Sequence, residues 1–345
     1  MRKLASVRVI DAISAIPEAD AIEVATIGGW DVVVKKGEYK PGDIAVYFEV
    51  DSWIPTTLAG FLTKPGQEPR EYEGIKGERL KTVKLRGQLS QGLLLPLSVL
   101  PSIPDSTADW EDEDDVTELL GILKWEPPVN AQTGGAPRGN FPSLVPKTDE
   151  DRIQNMSRRF PKWIEDKLTF EVSEKLEGTS CTMYLHHDSF EPFAVCSRNL
   201  SLTENPDNTL WALAREFRVE EQLRERELFG LAIQGEVIGP GIQKNIYKLN
   251  RPEFHVYKIY DTKAGAYMDT NERRELCEAL GLKHVPVLTK SMDLEHLTIK
   301  DVLALAEGKS QLLATQEREG LVFKCNEIPE LSFKAISNKY LLKNQ

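Results

Sequence analysis

The chain has 345 residues, and at about 150 residues per domain that length suggests two units. Hydrophobic residues make up 41% and charged residues 28%, which supplies ample core material and excludes a fibrous or wholly disordered chain. The net charge of −11 argues against a nucleic-acid footprint spread over the whole surface, so any such contact must be local. No apolar run reaches the roughly 18 residues of a membrane span. The N-terminus MRKLASVRVIDA lacks the apolar stretch of a signal peptide. Cys181, Cys196, Cys277 and Cys325 are scattered, without C-x-x-C, so a reduced, cytoplasmic protein is expected.

In chain order, residues 4 to 55 read as short β-segments: LASVRVIDAISAI, the turn PEAD, AIEVATI, a Gly28-Gly29 turn, WDVVVKKG, then IAVYFEV after Lys40-Pro41-Gly42-Asp43. Short strands broken by Gly and Pro indicate a compact all-β barrel over residues 1–125. The PEAD turn before AIEVATI and the later AVYF strand resemble an oligonucleotide-binding (OB) barrel. Residues 76–86 (KGERLKTVKLR) alternate charged and apolar residues, which predicts a strand with one cationic face, either a solvated surface or a binding one, and makes Lys76, Arg79, Lys81, Lys84 and Arg86 candidate nucleic-acid contacts. The acidic run at 109–115 (DWEDEDD) reads as a solvated face. A helical or mixed stretch is expected up to residue 125.

Residues 126–147 are rich in Pro, Gly, Asn and Ser and read as a linker. Residues 149–160 (DEDRIQNMSRRF) place acids first and bases last, the order of a helix complementing its own dipole. Beyond them EVSEK, TSCTMYLHH, FAVCS, LAIQGEVI, FHVYKIYD, GLVFKCN and LSFKAI read as strands, with helices near 208–226, 271–281 and 298–307. The expectation is an α+β unit with antiparallel sheets over 148–345.

The pattern K-x-x-G occurs twice, at Lys84–Gly87 and Lys175–Gly178; chance alone yields about one or two in such a chain. Only the second lies between two strand-like segments of the α+β unit. It is followed in order by Ser197-Arg198-Asn199, Gln234-Gly235-Glu236, Phe254-His255-Val256-Tyr257, Glu319-Gly320-Leu321-Val322-Phe323-Lys324 and Ser332-Phe333-Lys334. Singly, each residue reads as ordinary: a turn lysine, exposed acids, a core tyrosine, an arginine paired with a neighbouring acid. In series they resemble the covalent nucleotidyltransferases, and most closely the ATP-dependent, nick-sealing RNA ligases of the Deinococcus type, which carry an OB barrel ahead of an ATP-grasp-like catalytic domain of two antiparallel sheets. Phe141-Pro142 through Pro146-Lys147-Thr148-Asp149 to Arg152 and Gln154-Asn155 resembles the lead-in segment of those ligases.

That resemblance implies the chemistry. Lys175 is the expected nucleophile, attacking the α-phosphorus of ATP, with Lys334 neutralising charge on that phosphate. The attacking amine must be unprotonated, and nearby cations and partial burial are expected to lower its pKa. Glu177, Glu236 and Glu319 are the expected holders of Mg²⁺ or Mn²⁺, largely through water. Glu174, Gly178, Arg198, Glu236, Tyr257, Glu319 and Lys324 are the expected ATP and AMP contacts, with Tyr257 stacking on adenine. The expected substrate is RNA with 3′-hydroxyl and 5′-phosphate ends, in a nicked duplex or an RNA–DNA hybrid, bound by a monomer without membrane or protein partners.

The series departs from the family pattern at several points. Glu177 stands where many ligases have Asp. Lys334 is flanked by Ser332 and Ile336, although the last motif usually carries two lysines one residue apart; Lys324 and Lys339 are candidates for the second cation. Gly178 is followed by Thr179-Ser180 and not by arginine, and 11 residues follow Lys334, which favours an RNA ligase over a DNA ligase or a GTP-dependent capping enzyme. A nucleic-acid-binding relative without activity is the remaining alternative. No HExxH or Cys/His spacing points to zinc.

Overall fold

The computed structural model describes residues 2–101, 110–128, 131–188 and 193–344. The chain groups into two compact units, one formed by Met1–Pro127, Gln154–Arg158 and Leu341–Gln345, the other by Pro128–Ile153 and Arg159–Tyr340. Among the described residues no helix is long and apolar enough to cross a membrane.

In the first unit the four expected N-terminal β-segments form, the first of them split into Ala5–Val9 and Ala12–Ala15. Ala5–Val9 pairs antiparallel with Ile44–Phe48, and Ile22–Ile27 lies between Ala12–Ala15 and Trp30–Lys35. Alternation drives the burial: Trp30, Val32 and Val34 pack inward with Ala25, Ile27 and Tyr47, while the residues between them stay nearer the surface. The stretch after residue 55, expected to be helical or mixed, is mixed with more strand than helix: the short helix Thr56–Ala59 and 3₁₀ turns Gly60–Leu62 and Leu97–Val99 accompany strands Arg70–Tyr72, Ile75–Arg79, Thr82–Leu85, Gln88–Gln91 and Leu93–Pro96. Strands this short complete too few alternations to declare themselves by period.

Two charge runs also fold differently from their sequence reading. The basic run is two strands in different sheets, Ile75–Arg79 beside Ser52–Pro55 and Thr82–Leu85 beside Gln88–Gln91. Arg86 and Gly87, at φ 48° and 82°, make the tight turn of the second hairpin, so the first K-x-x-G is a turn. The acidic run is structural over its described residues 110–115; Asp109 lies outside them. Asp112 Oδ1 accepts from Val9 N at 2.9 Å, Asp112 pairs with Arg8 and Arg158, and Asp114 O accepts from Val7 N at 2.9 Å. The run thus satisfies backbone donors along Ala5–Val9 that would otherwise lack partners.

The second unit contains two sheets. The eight-stranded sheet runs in the order Pro137–Asn140, Leu200–Leu202, Ala194–Cys196, Thr179–Tyr184, Leu231–Ile238, Glu253–Asp261, Ala266–Tyr267, with Lys283–His284 also paired to Glu253–Asp261. The five-stranded sheet runs Asp151–Arg152, Ser332–Ile336, Gly320–Cys325, Thr169–Lys175, Val287–Asp293. Pairing is antiparallel except at Asp151–Arg152 and Lys283–His284. Helices Thr209–Glu216, Val219–Glu225 and Thr270–Ala279 bury Leu210, Leu213, Leu223 and Cys277 against Met183, Ile233, Phe254 and Val256 of the large sheet. All four cysteines are free and buried.

Residues 126–147 do more than link. Pro137–Asn140 pairs with Leu200–Leu202, and Val145 packs with Tyr184, Ala194 and Ala232; composition alone concealed a strand whose four residues are all exposed. The helix expected over 149–160 is instead the strand Asp151–Arg152, a 3₁₀ turn Ile153–Met156, and a helix confined to Phe160–Glu165. Ile153, Met156 and Phe160 are all buried, yet no continuous helix joins them; charge order alone does not hold a helix.

Candidate active site

Alternation in the five-stranded sheet builds the site. On one face Phe170 and Phe333 pack with Trp163, and the rings of Phe323 and Phe333 stack at 4.8 Å. The opposite face therefore carries the polar residues of the same strands. The register places Lys175 beside Gly320, Val322 beside Lys334, Lys324 beside Ser332, and Arg152 beside Lys334. Lys175, Lys334, Lys324 and Arg152 thus share one face. Arg152 takes no part in the six motifs, although its lead-in segment is legible in the sequence.

Lys175 Nζ lies 2.7 Å from Glu319 Oε1. Burial pulls the amine's pKa down, but Glu319 and Glu236 outweigh burial, and the net direction is upward despite Arg152. This corrects the expectation of a lysine depressed by cations: without nucleotide, the acids around it hold Lys175 as an ammonium. The Glu236 carboxyl is pushed up to about 7, first by burial and then by Glu319, with Lys175, Arg198 and the Gly178 N–H opposing. Two acids and one lysine therefore compete for charge in a small space.

The motif glycines set the spacing. A Cβ on Gly178 would lie 2.3 Å from Val237 O, on Gly235 2.6 Å from His255 O, and on Gly320 2.2 Å from Ala335 O. Each glycine permits two backbones to approach as no side chain would. The loop after Lys175 is pinned as well: Glu177 N donates to Tyr247 Oη at 2.8 Å, and Tyr340 Oη donates to Glu177 Oε2 at 2.6 Å. Neither tyrosine belongs to a motif; Tyr340, six residues after Lys334, was detectable only by its nearness to the last one.

The remaining predicted residues divide. Tyr257 Oη is bonded to Thr148 Oγ1 at 2.8 Å and Ser180 Oγ at 3.1 Å, and Ser180 is the register partner of Glu236, so Tyr257 adjoins the acid group. Arg198 pairs with Asp149. Glu174 is buried on the opposite side of its strand from Lys175, where Oε2 accepts from Gln311 N at 2.7 Å; the structure does not bring it to the other candidates. Lys324 is buried, its Nζ 3.2 Å from Ser173 Oγ, and burial with Arg273 and Lys258 drives its pKa well down. Lys339 is exposed, beside Glu307 at 3.8 Å. Among the described residues no three acid, histidine or cysteine side chains converge to hold a metal ion directly.

In the first unit, Arg79 is committed internally, 2.6 Å from Asp51 Oδ1 and 3.8 Å above the Trp125 ring. Lys76, Lys84 and Arg86 are exposed and Lys81 is half-buried, so the five cations do not form the single face that the sequence suggests.

A family model described as RNA ligase matches residues 168–340, and one described as an OB-fold domain matches residues 4–97. No curated protein matches the chain. Among solved structures, Naegleria gruberi RNA ligase with PPi is similar at 42% identity and TM-score 0.90, covering 100% of this chain and 99% of that one. An apo point mutant of the same ligase aligns at 41% identity and TM-score 0.91, covering 99% and 98%. A lysine-to-alanine mutant of it with ATP and Mn aligns at 41% and 0.89, covering 98% of each chain. The chain belongs to the RNA ligase family and carries an OB-fold domain at its N-terminal end.

Proposed function

We propose that this RNA ligase uses ATP to join 3′-hydroxyl and 5′-phosphate ends of RNA held in a duplex, through AMP bonded to Lys175. The observation that carries the reading is the Lys175 amine 2.7 Å from Glu319, on the sheet face shared with Lys334 and Arg152. In the first step Lys175 Nζ, having lost its proton, forms a bond to the α-phosphorus of ATP, and pyrophosphate leaves. In the second, the 5′-phosphate of RNA takes the adenylyl group and frees the lysine. In the third, the 3′-hydroxyl attacks that phosphate and AMP leaves.

Each residue has a physical task in this scheme. Glu319 and Glu236 draw Lys175 into position before nucleotide arrives. Lys334 and Arg152 supply positive charge where negative charge grows on the α-phosphate. Tyr257, its hydroxyl tied to Thr148 and Ser180, presents its ring to adenine. The donor set fits a hard divalent ion such as the Mn of the Naegleria structures, because Glu177, Glu236 and Glu319 offer only oxygens and the Glu236–Glu319 pair concentrates negative charge that a cation would relieve. With no three of them converging, such an ion would keep much of its water. Bound there, it would withdraw charge from the phosphate.

The test is transfer. Protein labelled with AMP from ATP, freed of excess nucleotide, is mixed with a nicked RNA duplex, a nicked RNA–DNA hybrid and a nicked DNA duplex. The reading expects label to pass to the 5′-phosphate of RNA and the nick to close. Label that passes only to DNA, or stays on the protein, contradicts it.

A further inference from the structure

The strand Glu253–Asp261 breaks its own alternation. Gly235 pairs with Val256 and Gln234 with Lys258, leaving Tyr257 without a register partner. Phe254, Val256 and Ile259 all enter the core beneath the sheet, so the extra residue turns two consecutive side chains, Tyr257 and Lys258, to the opposite face. A bulge of this kind re-aims side chains next to functional sites. Gly235 accommodates it, since a Cβ there would meet the Phe254 ring at 2.4 Å.

Lys258 crosses to the other sheet. Its Nζ donates to Ser332 Oγ at 2.7 Å and lies 2.7 Å from Glu150 Oε1, while Ser332 Oγ donates to Glu150 Oε2. The amine also sits 4.6 Å from the centre of the Tyr267 ring, and its side chain is 6% exposed. Ser332 is two residues before Lys334 on the same face. Glu150 directly precedes Asp151–Arg152, whose Arg152 is the register partner of Lys334. One triad, with Lys258 buried and Ser332 and Glu150 half-buried, therefore joins the strand carrying Tyr257, the strand carrying Lys334, and the segment carrying Arg152.

We infer that Lys258 is a positioning residue for nucleotide binding: with Ser332 and Glu150 it clamps the two sheets, fixing the base-facing Tyr257 at a set distance from the phosphate-facing Lys334 and Arg152. A nucleotide spans base and phosphate with a fixed length, so a site that recognises both ends needs its two walls held in register. Geometry held by buried, mutually satisfied polar groups is stiffer than geometry held by apolar contact alone. The inference rests on the ligase reading above and adds to it the residue that sets the width of the site.

The experiment measures single-turnover AMP attachment from ATP in full-length protein, over a range of ATP concentrations, with thermal melting of every variant. Lys258→Met keeps the length and removes the charge; Ser332→Ala cuts the link to the Lys334 strand and leaves the Lys258–Glu150 pair. The expected result is a KM for ATP raised tenfold or more in K258M and several-fold in S332A, with Lys258→Arg recovering much of the loss. Should K258M fail to fold, S332A decides. Wild-type KM in S332A, or loss in K258M that follows melting temperature alone and is not recovered by K258R, overturns the clamp. Wild-type protein that takes no AMP overturns the ligase reading itself.

Discussion

Gly320→Ala probes how tightly the backbone sets the position of the proposed nucleophile. The added methyl would lie 2.2 Å from Ala335 O and 2.9 Å from Ile336 Cα, both backbone atoms that cannot rotate aside. Reaching an ordinary contact requires Gly320–Cys325 and Ser332–Ile336 to separate locally by roughly an ångström, and overpacking of that kind costs about 1–3 kcal/mol. Gly320 is the register partner of Lys175, and its neighbour Glu319 holds Lys175 at 2.7 Å while accepting from Ser337 N at 2.9 Å. A displacement of about an ångström at reacting groups can cost on the order of a hundredfold in rate. Equilibrium urea unfolding should show the stability loss, and single-turnover AMP attachment should fall by ten- to a hundredfold, on the order given by that geometric argument. Gly60→Ala is the control: φ is −58° and nothing lies within 4 Å, so stability should hold or rise by up to about 1 kcal/mol. Wild-type AMP attachment in a destabilised G320A protein would refute the idea that this strand pair sets the site.

Other perturbations reach different parts of the account. Glu171→Gln removes the buried anion between Arg273 and Arg274 and leaves Arg273, 2% exposed, without its charge partner; urea unfolding should show a loss of about 3–5 kcal/mol, and a loss below about 1 would contradict the reading of this pair. Tyr340→Phe removes the donor to Glu177; at about 1.5 kcal/mol or more for a hydrogen bond to a charged group, AMP attachment should slow by about tenfold, and an unchanged rate would exclude Tyr340 from orienting Glu177. Glu236 has a folded-state pKa raised to about 7 from 4.5, so the folded protein binds the extra proton and stability should fall as pH rises from about 4.5 to 7. Glu236→Gln should flatten that slope in melting experiments, and an identical slope in the variant would assign it to other groups.

Legibility followed the side-chain period. In Gly320–Cys325 the alternation of Leu321, Phe323 and Cys325 with Val322 and Lys324 is complete enough to give strand, buried face and polar face together, and the same holds for Ser332–Ile336. The order of the motifs then placed Lys175, Glu236 and Glu319, which the fold brings together from two strands and the residue just before a third. What escaped depends on contacts that pattern does not carry. Lys258 drew no reading of its own, because the bulge that turns it and Tyr257 one way leaves no mark in residue types apart from Gly235. Pro137–Asn140 has no apolar face, and only its pairing partner makes it a strand. The upward shift of Lys175 was invisible because it depends on which charges stand nearest, and here the carboxylates outweigh Arg152.

The central claim is that one amine bonds to phosphorus. Intact-mass measurement of the full-length protein after incubation with ATP and Mn²⁺, with peptide mapping, tests it most directly. The account predicts a single adenylyl adduct located on Lys175, lost on adding pyrophosphate and missing from Lys175→Ala. An adduct that persists in that variant, or wild-type protein that seals RNA nicks without ever carrying one, would contradict it.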